Sequence, residues 1–149
     1  MSKITLRYFK KDCMGCHGCE VACMQEHGLT GGARLVRIIE DSPDFIPIYC
    51  HHCANAPCKG VCPVEAIVRN ARGIVLIDKE LCIGCKECME ACPFGAMQYN
   101  EEQEVAVKCD LCIHRLENGE APACSTVCGT GCIFWGDTKQ MTNRILADL

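Results

Sequence analysis

Seventeen cysteines stand in this sequence of 149 residues, and sixteen of them fall into four successive quartets. Cys13, Cys16, Cys19 and Cys23 are spaced C-x2-C-x2-C-x3-C. Cys50, Cys53, Cys58 and Cys62 follow as C-x2-C-x4-C-x3-C, closed by Pro63. Cys82, Cys85, Cys88 and Cys92 repeat the first spacing and are closed by Pro93. Cys109, Cys112, Cys124 and Cys128 are spaced C-x2-C-x11-C-x3-C, which leaves Cys132 over. Thiols gathered in fours are metal ligands. The third quartet with its proline matches in full the bacterial run C-x2-C-x2-C-x3-C-P, whose first three thiolates wrap one [4Fe–4S] cluster while the fourth reaches to another. Two-residue gaps let a tight loop present three sulfurs. The three-residue gap starts a helix that carries the fourth away, and the proline ends that turn by removing an N–H.

Other chemistries fit less well. Structural zinc is held by cysteine pairs separated by a dozen or more residues, whereas here the cysteines crowd into short spans three times over. Cys13-Met14-Gly15-Cys16-His17 reads as a haem-attachment motif, but it occurs once and Cys19 and Cys23 continue the same run. Disulfides belong to oxidising compartments. The opening MSKITLRYFK has neither the apolar stretch nor the twin arginine of an export signal, and apolar runs such as 73–77 are too short to span a bilayer. A cytoplasmic setting without direct membrane insertion is therefore expected. His51 and His52 flank Cys53 and could ligate iron, but sixteen thiolates already suffice for four clusters, so both are read as structural. His17 and His114 are read as supporting or surface groups; Lys59, Lys86, Lys108 and Arg115 could tune nearby clusters, but the solvated-charge reading is preferred for each.

The formal charge of −4 counts every thiol as neutral. Four ligated clusters at about −2 each would bring it to about −12, which argues against nucleic acid and anionic membrane as partners. Aromatic residues make up only 5% of the chain, so the apolar core is thin and metal must supply much of the stability.

The elements that position these thiols are short. Residues 66–69 and 74–77 read as strands around a turn, and 96–99 and 105–107 repeat the plan around an acidic turn. Further strands are expected at 4–9, 35–39 and 133–135, and helices at 20–25 and 111–117. The gap between Cys112 and Cys124 suits a helix, a turn and a second helix. Residues 138–149 read as a helix capped by Asp137 or Thr138, with Met141, Ile145 and Leu149 on one face covering the chain's own core. The fold class is α+β: two interleaved ferredoxin-like modules, each built for two [4Fe–4S] clusters from short β-hairpins and short helices. Residues 1–48 with 109–137 form an outer module, 49–108 an inserted central one, and 138–149 a C-terminal helix.

Several stretches extend the pattern: Tyr49-Cys50-His51-His52-Cys53 with Ala56-Pro57-Cys58, residues 78–93, and Lys108-Cys109-Asp110-Leu111-Cys112 with Arg115-Leu116, Gly119, Pro122-Ala123-Cys124 and Gly136-Asp137. Through them the chain, from 12 to 137, resembles the four-cluster ferredoxin-like electron-transfer subunits that accompany molybdenum and tungsten oxidoreductases, some hydrogenases and carbon monoxide dehydrogenases. The resemblance implies that fourth cysteines are exchanged within two pairs. Cys50, Cys53 and Cys58 would join Cys92, and Cys82, Cys85 and Cys88 would join Cys62. Likewise Cys13, Cys16 and Cys19 would join Cys128, and Cys109, Cys112 and Cys124 would join Cys23. Spacing alone implies the exchange only for the central pair. Where the family usually has Cys-Pro-Thr-Gly-Ala, this chain has Cys128-Gly129-Thr130-Gly131-Cys132. Either Cys128 or Cys132 could be the exchanged ligand, and the three-residue gap favours Cys128. The ending 132–137 looks most like small subunits associated with tungsten aldehyde oxidoreductases.

The resemblance implies a subunit of an anaerobic oxidoreductase complex, not an enzyme in its own right. It would pass electrons along four [4Fe–4S] clusters between a larger catalytic subunit and a second redox partner. A globule of this length has a radius of gyration of about 15 Å, which puts four such sites on the order of 10 Å apart. No G-x-G-x-x-G or Walker loop offers a nucleotide site. A freely diffusing polyferredoxin is the alternative; the tail helix and the apolar segment 31–47 favour a bound subunit.

Overall fold

The computed structural model of the protein describes residues 3–30 and 32–147. Among these, the strands form four two-stranded antiparallel sheets. β1 (Ile4–Tyr8) pairs with β8 (Ile133–Asp137), Ile4 opposite Asp137 and Tyr8 opposite Ile133. Along β1, Leu6 and Tyr8 are buried while Arg7 faces out, the period-two pattern of a strand with one covered face. β2 (Arg37–Asp41) and β3 (Asp44–Ile48) make a hairpin through a cis Ser42–Pro43 bond. Two shorter hairpins follow: β4 (Ile67–Arg69) with β5 (Val75–Ile77), and β6 (Gln98–Asn100) with β7 (Val105–Val107).

Between the strands lie α1 (Gly18–Glu26), α2 (Pro57–Val61), α3 (Glu87–Ala91), α4 (Ile113–Glu117) and α5 (Ala123–Val127). α1 packs on α5, and α2 on α3. α6 (Thr138–Ala147) packs on β8 and β1. Its start is a capping box: the Gln140 N–H donates to Asp137 Oδ1 at 2.8 Å, and the Asp137 N–H to Gln140 Oε1 at 3.0 Å. Met141 is buried and Ile145 half-buried, so the helix covers the chain's own strands as expected; Leu149 lies outside the described residues.

Two apolar cores share the cysteines. The larger gathers Leu6, Tyr8, Leu35, Val36, Ile38, Ile74 and Leu111; the smaller gathers Ala56, Ile67, Val75, Met97 and Ala106. Ile74 and Val75 are consecutive and point into different cores, so the start of β5 stands between them. The hairpins at 66–77 and 96–107 stand where the sequence places them. β3 is not among the strands expected from the sequence; its Pro47 is tolerated in a two-stranded sheet, where a strand has one unpaired edge. The apolar residues of 31–47 are also spent differently from expectation, since Leu35, Val36 and Ile38 fill the core rather than face a partner.

Candidate metal centre

The residue before the second cysteine of every quartet has a left-handed backbone: Gly15 (φ 71°), His52 (φ 47°), Gly84 (φ 72°) and Leu111 (φ 59°). In three quartets the residue two before the third cysteine does so too: His17, Ala56 and Lys86. Such residues reverse the chain within a two-residue gap, so that successive side chains turn toward one point. The third cysteine is then the second residue of a helix in all four cases: Cys19 in α1, Cys58 in α2, Cys88 in α3 and Cys124 in α5. Cys62, Cys92 and Cys128 close α2, α3 and α5, while Cys23 sits inside the longer α1. At 1.5 Å per residue the fourth cysteine lies about 6 Å farther along the axis than the third, out of reach of its own loop and beside the helix packed against it.

The cavities follow from that packing. One is lined by Cys82, Cys85 and Cys88 together with Cys62, against Val64, Ile67 and Ile77. Another is lined by Cys50, Cys53 and Cys58 together with Cys92. A third is lined by Cys13, Cys16 and Cys19 together with Cys128 and also Cys132. Of the remaining four, Cys23 and Cys124 belong to the larger core, Cys109 packs against it, and Cys112 is buried. His27 Nδ1 lies 3.8 Å from Cys23 Sγ, within hydrogen-bonding reach of the sulfur.

This donor set fits iron–sulfur clusters. Backbone N–H groups of His52, Ala66 and Leu111 donate to the sulfurs of Cys50, Cys62 and Cys109 at 3.3–3.4 Å. Two buried polar atoms beside the cysteines, Tyr8 Oη and His52 Nε2, have no well-aligned partner in the protein. His52 Nδ1 accepts from the Val75 N–H at 3.0 Å, so its Nε2 carries the proton and is a donor in need of an acceptor. Burial pushes the thiols of Cys19 and Cys88 up to about 11 and that of Cys124 to about 12, and raises Cys109 well above its ordinary value. For these buried thiols to ionise together a cation must stand among them, which ligated iron would provide.

The surrounding charges depart from expectation in one place. Lys108 is only 6% exposed, and its ammonium donates to the carbonyls of Val75 and Cys109; it is not a solvated charge. Lys59 is exposed, Lys86 lies over the Tyr99 ring at 4.2 Å, and Arg115 pairs with Glu26 and Glu120. His51 stacks between Tyr49 and Phe94, with ring centroids 4.8 and 4.0 Å away. His17 bonds Glu20 and Glu40, and His114 bonds Glu26. Three residues beside the sulfurs are not among those that spacing singles out. Tyr8 could have been found from the inward period of β1. His27, bonded to Asp110 at 2.8 Å, and Glu20, buried beneath Arg34 and the Ile38 N–H, carry no local signal. Burial alone would raise the Glu20 carboxyl, yet the Ile38 N–H, His17 and Arg34 hold it below the usual range.

A family model described as a 4Fe-4S dicluster domain matches residues 42–138. A tetrathionate reductase subunit of Salmonella typhimurium is 39% identical over 143 residues, covering 89% of this chain and 57% of that protein. Thiosulfate reductase electron transfer subunit PhsB of Salmonella typhi is 38% identical over 151 residues, covering 91% of this chain and 79% of that protein. A putative electron transport protein, YsaA of Escherichia coli, is 41% identical over 145 residues, covering 90% of each. This chain thus spans little more than half the length of the first of these relatives.

Proposed function

We propose, from the premise that this chain belongs to the 4Fe-4S dicluster family, that it is the electron-transfer subunit of a larger oxidoreductase, holding four [4Fe–4S] clusters in two interleaved modules. The outer module is 1–48 with 109–137, the central one 49–108, and 138–149 the C-terminal segment, whose helix α6 (Thr138–Ala147) packs on the outer sheet. The ligand sets are Cys13, Cys16, Cys19 and Cys128; Cys109, Cys112, Cys124 and Cys23; Cys50, Cys53, Cys58 and Cys92; and Cys82, Cys85, Cys88 and Cys62.

One observation carries this reading: three separate cavities are each lined by three cysteines of one loop and the last cysteine of the helix packed beside it. Bound clusters supply reversible one-electron transfer. The chain's own part is to hold sulfur, exclude water and fix the surrounding hydrogen bonds and charges. Its surface supports separate points of entry and exit. Cys16 and Cys85 are exposed and line different cavities. Met14 and Val127 stand exposed near the first, and Leu81 and Ile83 near the second. The relatives named as subunits of tetrathionate and thiosulfate reductases support a reductase of that class as partner.

Anaerobic purification from the native source tests this. The expected material holds about four irons per quartet, contains no zinc, and arrives with a larger catalytic chain. Zinc in place of iron overturns the ligand sets, and a lone chain that shuttles electrons unaided overturns the subunit role.

A further inference from the structure

We infer that Lys108 is the fixed positive charge that sets the reduction potentials of the two innermost clusters, those of Cys50, Cys53, Cys58 and Cys92 and of Cys109, Cys112, Cys124 and Cys23. The inference rests on the ligand sets proposed above. Lys108 is 6% exposed, yet among the described residues no carboxylate lies within ion-pairing distance of its ammonium. Its partners are two carbonyl oxygens, of Val75 and, at 3.0 Å, of Cys109. A buried ammonium needs a compensating negative charge, and carbonyl dipoles supply only part of one.

Its position says where the rest comes from. The side chain lines the cavity of Cys50, Cys53, Cys58 and Cys92, while the ammonium holds the main chain of Cys109, a member of the neighbouring set. Val75, its other anchor, donates its N–H to His52 Nδ1 at 3.0 Å, which ties the lysine to the loop between Cys50 and Cys53. Lys108 thus stands at the junction of the central and outer pairs. Each reduction adds one negative charge to a cluster. A fixed cation in a desolvated place, poorly screened by salt, favours the reduced form of both neighbours and raises their potentials. Entry of an electron onto either of these two clusters from the other cluster of its own pair is thereby made easier.

The test uses the full chain with its clusters, prepared anaerobically, with an iron count and a redox titration followed by electron paramagnetic resonance. Lys108→Met keeps the alkyl stem and removes the charge. It is expected to retain wild-type iron while two of the four couples fall, each by about tenfold in its equilibrium, or about 59 mV for one electron. The other two couples stay within about twofold, and Lys108→Arg stays close to wild type in all four. Full iron with no couple moved, or with all four moved alike, overturns the inference. If Lys108→Met fails to hold iron, Lys108→Gln is read in the same way; loss of iron in both makes the lysine a structural clamp and overturns its role as a potential-setting charge. A wild-type chain that lacks four cluster signals overturns the ligand sets themselves, and this inference with them.

Discussion

Cys128 and Cys132 bring two sulfurs to 3.5 Å on the wall of one cavity, where only one can complete a set of four. Their surroundings separate them. Burial would raise Cys128, but Thr130 and Cys132 outweigh it and hold the thiol down to about 7. Burial pushes Cys132 up to about 12, with Cys128 adding to the effect. Cys128 is thus the more readily ionised of the two sulfurs. Cys132→Ala should keep the full iron content of the anaerobic protein, whereas Cys128→Ala should lose about four irons; the opposite pattern would exchange their roles. The quartet and its leftover thiol were plain in the sequence, because spacing is a local property. The burial of Lys108 was not, since nothing beside that residue says which strand will close over it.

Among the elements, the two-residue gaps depend on backbone that most side chains resist. A Cβ on Gly84 would stand 2.6 Å from the Glu104 carbonyl, at φ 72°. Gly28 has a similar φ of 58° with nothing within 4 Å. Gly28→Ala should cost about 1 kcal/mol from backbone conformation alone, and Gly84→Ala about 2 kcal/mol or more because main chain must also move. Heating at one scan rate, followed by visible absorbance, should show Gly84→Ala losing its clusters about 5 °C below wild type. Equal midpoints for the two variants would show that the loop yields. The central hairpins were legible from alternating apolar runs bounded by turns, and the Cys-Pro endings marked where they begin. The outer pairing was legible only by resemblance, because it depends on α1 meeting α5 across the 96 residues from 27 to 122.

For the molecule as a whole, the cysteines occupy the interior that apolar residues fill elsewhere: Cys19, Cys23, Cys124 and Cys132 belong to the larger core, and Cys88 to the smaller. Removing iron leaves those positions as crowded thiols on loops with little else to hold them. Chelation under anaerobic conditions should therefore abolish the far-ultraviolet signature of the folded state and open the chain to protease. An apoprotein that keeps both its spectrum and its resistance would show that packing alone sustains the fold.

The ladder between β1 and β8 sets Ile4 against Asp137. The strand that opens the described structure must wait for its mate until every other strand has left the ribosome, whereas β4–β5 and β6–β7 can zip as soon as their turns emerge. Birth order is thus written into the sheet connectivity: the middle of the protein can mature on a nascent chain, and the flanks are sewn shut last.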